Sequence, residues 1–460
     1  MKEKGLRQFL EVKTLSETLT LTDARSIIEN QIEELAKRNK EPEWMTKIRY
    51  RALEEFMRAP LGDPIISEEK LLNFIAKPEI EGIPDKIESL DDLPPEMKAL
   101  LDRLGISEVE QKYIAGLAVQ TDTGVIYNQF LQEWAKKGLI VLPTEEAIRK
   151  YPDIMKQHFL KLFKAGENKL TAYHTAVWNG GIFLYVKENL KVPFPLHLFF
   201  LIQESSLAQA PHIIIIAEKN SEVHLIEGCT APILVRHSLH LDMTEAYIHD
   251  GAKVRLTVLQ NWPEYVHTRP MTRAKVGKNA EFLNTTVSLG AGKSNIANPK
   301  YWVEEGGHVE LNGVILGQKD WYIDLGGEMY LQGKGASGLN SSKAVIMDKS
   351  SVITRGKIIA EAKKTKGHIS CDALLLSDKA RMETYPGLVS LVDEAELSHE
   401  AAIGKIREEE LFYLMSRGLT EEKATQLIVK GFVEPMLKDI PIEFVVEIKK
   451  IIELAVSGGL

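Results

Sequence analysis

The chain has 460 residues, 44% hydrophobic and 27% charged, with a formal net charge of -8 at pH 7. That length allows two or three domains with a substantial core, the composition is ordinary for a globular protein, and the charge has the wrong sign for bulk nucleic-acid binding. Two cysteines do not make a secreted disulfide framework. The N-terminal stretch MKEKGLRQFLEVKTLSETLT lacks an apolar run of signal-peptide type, and PHIIIIAE is far too short to span a bilayer. The expected compartment is the cytoplasm.

The first third reads as helical. TDARSIIENQIEELAKRNK offers Thr22 as N-cap and an apolar stripe at Ile27, Ile28, Ile32 and Leu35. EPEWMTKIRYRALEEFMRA places Pro42 at a helix start, with Trp44, Ile48, Leu53 and Phe56 as anchors. Pro60 to Pro95 is rich in Pro, Asp and Glu and reads mostly as loop. Helical patterns resume in SEVEQKYIAGLAVQ, YNQFLQEWAKKG and YPDIMKQHFLKLF.

Near residue 170 the texture changes to short β-rich runs such as AVWNGGIFLYV, PLHLFFLIQ, HIIIIAE, SEVHLIEG and AEFLNTTVSLG. A loose unit recurs: a turn such as DGAK, GKNA, EGGH, LGGE, DKSS, DKAR or VDEA, then a short alternating run. Its spacing is irregular, roughly one to two dozen residues, the scale of a solenoid. With no long helices between strands, a parallel β-helix fits better than a β-sandwich. Beyond residue 405, REEELFYLMSRG, LTEEKATQLIVKGF (N-cap Thr420) and PIEFVVEIKKIIELAV read as helices. The expected organisation is a helical N-terminal domain over 1–168, a parallel β-helix core over 169–404 and a helical docking domain over 405–460.

Cys229 sits in EGCTAP, between a Gly and a Pro that suggest an accessible turn. It reads either as a small buried strand-end residue or as a thiolate that accepts sulfane sulfur from a persulfide. Cys371 sits in ISCDALLLS, a strand with Ile369, Cys371, Ala373 and Leu375 on one side. A thiolate is a metal ligand as well as a nucleophile, and with two cysteines in the chain any metal at Cys371 needs nitrogen or oxygen ligands, or a second subunit. His399 and Glu400 follow Cys371 by about one β-helix turn or a little more, although strict alternation lets only one of them share its face. His237, His240, His249 and His267 match no zinc spacing and read as surface or strand residues. No G-x-x-x-x-G-K-[ST] loop is present, so ATP chemistry would belong to a partner.

EPEWM (41–45), TAVWNGGIFLYV (175–186), IEGCTAP (226–232), QNW (260–262), SCDALLLSDKA (370–380), LSHEAAIGKI (397–406) and the stretch LFYLMSRGLTEEKATQLIVKGF together resemble the SufB/SufD family of iron–sulfur cluster assembly scaffolds. The resemblance covers nearly the whole chain. It implies a mainly β fold, a right-handed parallel β-helix flanked by helical N- and C-terminal domains. It also implies a scaffold for nascent clusters rather than an enzyme, working with the ATPase SufC, which docks on the C-terminal helices, and fed by a cysteine desulfurase system. By the same resemblance Cys229 is the sulfur acceptor, Gln260 and Trp262 lie on the sulfur path, and Cys371, His399 and Glu400 hold iron or the nascent cluster. A lysine that SufB carries after QNW has no clear counterpart; Thr272 or Arg273 falls near it. Ser370, Ala373 and Ser398 depart from SufB toward SufD, while both cysteines and Glu400 are SufB-like. A homodimer doing the work of SufB and SufD together accounts for the mixture, with SufD itself as the other possible second subunit. The implied cofactors are a transient iron–sulfur cluster and, left open by the sequence, reduced flavin. The competing readings are a non-catalytic SufD-like partner and a β-helix carbohydrate-active enzyme.

Overall fold

The computed structural model describes residues 21–76, 116–122, 124–130 and 132–458. The protein is mainly β, a parallel β-solenoid of about eight coils with helices before and after it.

Helices Leu21–Arg38 and Glu43–Arg58 pack together because their apolar residues recur at helical spacing. Ile28, Ile32, Leu35, Leu53 and Phe56 are fully buried. Arg49 fixes this pair to the solenoid entrance. Its guanidinium, buried with the Glu41 carboxylate, donates to Glu41 at 2.5 and 2.9 Å and to the carbonyls of Ala176 and Trp178 at 2.9 and 3.0 Å.

Part of the region read as helical is sheet. GLAVQT forms the strand Gly116–Thr121 and GVIYNQF the strand Gly124–Phe130, an antiparallel hairpin. The first of these also pairs in parallel with Leu196–Leu201. The open edge of the first coil supplies backbone partners, and that pairing overrides a weak helical pattern. Only Gln132–Lys137 of YNQFLQEWAKKG is helix. SEVEQKYIA and the Pro-rich stretch from residue 77 onward lie outside the described residues. AVWNGGIFLYV likewise divides, with helix to Val177 and strand from Ile182.

From there the chain winds between two sheets. From Leu196 onward, parallel partners on the ten-stranded sheet lie 27 to 31 residues apart, from Glu281 to His308 at the short end and Glu222 to Lys253 at the long end. This is the true repeat; the shorter units read from the sequence are its two sides. The turn at one corner stacks coil on coil. Asn220, Gly251, Asn279, Gly306 and Gly335 all have positive φ, the left-handed region that Asn and Gly tolerate best. Each donates its N–H to the next coil, for example Asn279 to the Glu305 carbonyl at 2.9 Å.

LGGE is not a turn. Gly326 and Gly327 lie inside the strand Tyr322–Leu331, where its pairing passes from Ser294–Ala297 to Lys300–Val303. A Cβ on Gly327 would come within 2.3 Å of the Leu311 side chain, so the glycine keeps room for a core leucine.

After the last strand, Ala395–Gly404, helices Glu408–Ser416, Glu421–Val433 and Ile442–Val456 follow. The last two cover the outer face of the ten-stranded sheet, with Val429, Val433, Phe444 and Ile448 against Ile226, Leu259, Val287 and Val314. The final strands Arg381–Ser390 and Ala395–Gly404 are each paired on one side only among the described residues, leaving that end of the solenoid uncovered. No described helix is long and apolar enough to cross a membrane.

A second anchor holds the N-terminal region. Glu245, facing outward from the strand Met243–Ile248, accepts the backbone N–H groups of Leu162 and Lys161 at 3.0 and 3.3 Å. Burial pushes its carboxyl up to about 8, against the opposing backbone hydrogen bonds. The native state therefore keeps a proton that the unfolded chain releases above its ordinary 4.5. The stability this contributes is complete below that value and lost as pH rises toward 8. Glu245→Gln removes the dependence, so the variant gains on wild type by about 1.4 kcal/mol per pH unit across that window. Parallel denaturation curves for the two proteins would count against this assignment. Arg49→Ala strands Glu41 without its cation and is expected to cost about 3–5 kcal/mol, read from the denaturant midpoint; a loss under about 1 kcal/mol would contradict the anchoring role.

Candidate functional site

Strand Glu222–Thr230 turns alternate side chains inward. Ile226 faces out beneath the C-terminal helices, while Cys229 belongs to the interior core. Cys229 is only 2% exposed, so the accessible turn suggested by EGCTAP is absent. Its Sγ donates to Glu227 Oε1 at 3.4 Å and lies 3.9 Å from His240 Nε2. His240 in turn packs 4.9 Å from the Trp262 ring and 3.9 Å from Asp242 Oδ2.

Gln260 pairs in register with Cys229 on the adjacent coil, and its Oε1 accepts from Asn295 Nδ2 at 2.6 Å. Burial, with the neighbouring Glu227 and Asp242, pushes the Cys229 thiol well above its usual range. Burial also raises Glu227 to about 7, although the thiol hydrogen bond opposes it, and lowers His240 to about 3. At neutral pH the thiol keeps its proton, beside an acid able to take it.

Cys371 occupies the strand Thr365–Leu375 with Ile369 and Ala373 on the same buried side, as the alternation predicts. It is 5% exposed, and Thr354 Oγ1 donates to its sulfur at 3.5 Å.

The register connects the two cysteine regions. One column of stacked residues runs Glu227, Val258, Thr286, Gly313, Ser342, Cys371, one residue per coil. All six line a single interior cavity, together with Gln260, Asn284, Asn312, Asn340 and Thr354. Five strand spacings separate its ends, about 24 Å. After Val258 the column is made of small side chains, and their size leaves the space open. Thr272 lines the same cavity, whereas Arg273 points outward to Glu167 and the Leu162 carbonyl.

The column continues to Ala401 on the last strand. His399 pairs with Ile369 and so shares the inward face of Cys371. Glu400 pairs with Ser370 on the opposite face, where the Ser370 hydroxyl donates to it at 3.5 Å and His368 lies 3.5 Å away. Within one chain Cys371 and His399 are on one side and Glu400 on the other. Both His399 and Glu400 are exposed at the uncovered end.

Two residues beside Cys229, Glu227 and Asp242, escaped the sequence reading, and His240 was read there only as a surface or strand residue. A signal was present, since IEGC and HLD each place an acid two positions from its partner, which strand alternation puts on one face. Of the four histidines in this region, His237 and His249 are exposed, but His240 and His267 are buried.

Comparison with known proteins gives the family. Residues 200–432 match the family model described as SUF system FeS cluster assembly, SufBD core domain, and residues 117–198 match that of the SufBD protein N-terminal region. An iron–sulfur cluster assembly SufBD family protein of Pyrococcus horikoshii is 91% identical over 97% of this chain and 100% of its own length. SufBD family proteins of Staphylococcus saprophyticus and Staphylococcus haemolyticus are 34% and 35% identical, each over 95% of this chain and 94% of the relative. The chain belongs to the SufBD family of iron–sulfur cluster assembly proteins.

Proposed function

We propose that this protein is the scaffold on which nascent iron–sulfur clusters form, with sulfur entering at Cys229 and leaving the interior at Cys371. The observation that carries the reading is the cavity column from Glu227 to Cys371. Cys229 gives its proton to Glu227 and attacks the outer sulfur of a donor persulfide, supplied by a cysteine desulfurase system. The donor S–S bond breaks, and the donor thiolate leaves and takes a proton from solvent.

The two cysteines are too far apart for direct exchange, so a small carrier is required. Hydrosulfide fits the narrow, uncharged middle of the cavity. It takes the outer sulfur from Cys229 as hydrogen disulfide, delivers it to the Cys371 thiolate and is released again. Gln260 and Trp262 border the entry. Each sulfane sulfur then needs two electrons to become bridging sulfide, and reduced flavin is a donor of the right class.

Iron is the other substrate. Cys371 and His399 share the uncovered end, and two strands there have unpaired edges. A second copy related by a two-fold axis covers those edges and doubles the ligand set. In that arrangement Glu400 reaches the cluster from the neighbouring copy. SufC supplies ATP hydrolysis and docks on the C-terminal helices, where Phe412, Tyr413 and Met415 are exposed at 74%, 58% and 42%. The protein thus acts as a cytoplasmic assembly scaffold and not as an enzyme.

The direct test is anaerobic reconstitution with SufC, ferrous iron and a persulfide donor, followed by iron and sulfide content and Mössbauer spectra. Wild type is expected to hold a defined cluster that Cys371→Ser abolishes; an unchanged cluster in that variant would overturn the reading. Gly313→Leu tests the cavity. A Cβ at Gly313 finds its nearest neighbour at 3.6 Å, so the fold tolerates the start of a side chain there. The variant is expected to load persulfide at Cys229 normally while cluster formation falls to background. Phe412→Asp is expected to weaken SufC binding by about tenfold or more, and undiminished affinity would move the docking surface elsewhere.

A further inference from the structure

The cluster around Cys229 contains more ligand chemistry than a sulfur acceptor requires. One atom each from Glu227, Cys229 and His240 lie within 4.8 Å of one another, all three residues buried. The thiol sulfur is 3.4 Å from a Glu227 oxygen and 3.9 Å from His240 Nε2. In a tetrahedral site with bonds of about 2.0–2.3 Å, ligand atoms stand about 3.3–3.7 Å apart. The two separations from the thiol already fall within tenths of an ångström of that range, and the third, Glu227 to His240, lies within 4.8 Å, so closing it by up to about 1.5 Å brings the donors onto one ion.

The histidine is oriented for this. Gln209 Nε2 donates to two backbone carbonyls, those of Asp122 at 2.9 Å and Leu201 at 3.0 Å. That fixes which end of the amide faces His240, and Gln209 Oε1 meets His240 Nδ1 at 2.9 Å. An amide oxygen only accepts, so Nδ1 carries the hydrogen. The Nε2 lone pair then points at the cysteine and the carboxylates. A second-layer oxygen that sets the tautomer of a ligating histidine is the usual companion of a metal site.

A further observation points the same way. Asp242 is 3% exposed, its Oδ2 lies 3.9 Å from the same Nε2, and its Oδ1 has no hydrogen-bond partner. A buried carboxylate oxygen without a donor is costly unless a cation or a bound water faces it. Glu227 and Asp242 both line the interior cavity, so the site has an aqueous approach.

We propose that Glu227, Cys229 and His240 bind a divalent transition-metal ion of the zinc(II) or iron(II) class, with Asp242 at the fourth, cavity-facing position. A thiolate, an imidazole and a carboxylate are the donor set of such ions and not of magnesium or calcium. Two anionic ligands, Glu227 and Cys229, neutralise the ion, and Asp242 joins as the neutral acid, so the four-ligand centre buries no net charge. Binding displaces the Cys229 proton; the ion is not oxidised or reduced. An occupied site also withholds the thiolate from persulfide, so metal and sulfur compete for Cys229. The binding claim itself does not depend on the sulfur-transfer reading.

The test is titration of the chelator-treated full-length protein with cobalt(II) under anaerobic conditions, read by absorption. The expected result is one equivalent of cobalt with a thiolate-to-cobalt charge-transfer band and the intense visible bands of a tetrahedral site. Cys371→Ser is expected to keep this spectrum and Cys229→Ser to lose the charge-transfer band. Gln209→Leu, which frees the histidine tautomer, is expected to weaken cobalt binding about 10–100-fold while the band is retained at saturation. Circular dichroism of each variant separates loss of the site from loss of fold, and the Gln209→Leu affinity supplies a readout if Cys229→Ser unfolds. No thiolate band in wild type, or a band that follows Cys371 instead of Cys229, would overturn the proposal. Loss of cluster assembly in Cys371→Ser with the cobalt site intact would leave each proposal standing on its own.

Discussion

The in-register stacking of parallel strands is the constraint on which everything else depends. Each coil hydrogen-bonds to the next through its backbone, and residues 27 to 31 apart in sequence become neighbours with side chains on the same face. A register slip of one residue would exchange inside for outside along a whole strand. Because the register holds from Glu227 to Cys371, one column can determine what fills the interior over six coils. Bulky residues there would make an ordinary core. Threonine, glycine and serine make a passage.

The same stacking explains why the two ends of that passage differ chemically. At the Cys229 end the groups are buried, and burial keeps the proton on the thiol and raises the pKa of its acidic neighbours. Charge appears there only when something arrives to stabilise it, whether a persulfide or a cation. At the Cys371 end the final coil has no successor among the described residues, so His399 and Glu400 stand exposed beside unpaired strand edges. A β-solenoid left open in this way presents backbone donors and acceptors to another chain. On the proposed reading sulfur transfer is internal, and cluster assembly and partner contact fall at the edge.

Much of this was legible in the sequence. The turn residues and the return of helical spacing after residue 405 match observed elements, because Asn and Gly at left-handed corners and apolar periodicity are local signals, whereas the change of texture near residue 170 falls in the helix Lys169–Val177, with strands already present from Gly116. The alternation around Cys371 gave its inward orientation directly. What the sequence could not supply was register. Gly326 and Gly327 read as a turn because isolated glycines look alike in a corner and in a strand making room for Leu311. GLAVQT read as helix because its partner strand, Leu196–Leu201, lies some eighty residues away. The pairing of Cys229 with His240 across a corner has the same cause: the two are eleven residues apart, and only the coil path brings them together.

The central claim is that sulfur moves through the interior from Cys229 to Cys371. It is tested most directly by mixing the protein with isotopically labelled persulfide donor, quenching at intervals and locating the label by mass spectrometry. The account predicts label first at Cys229, then at Cys371, with none reaching Cys371 in Cys229→Ser. Label arriving at Cys371 as fast in that variant as in wild type would contradict it.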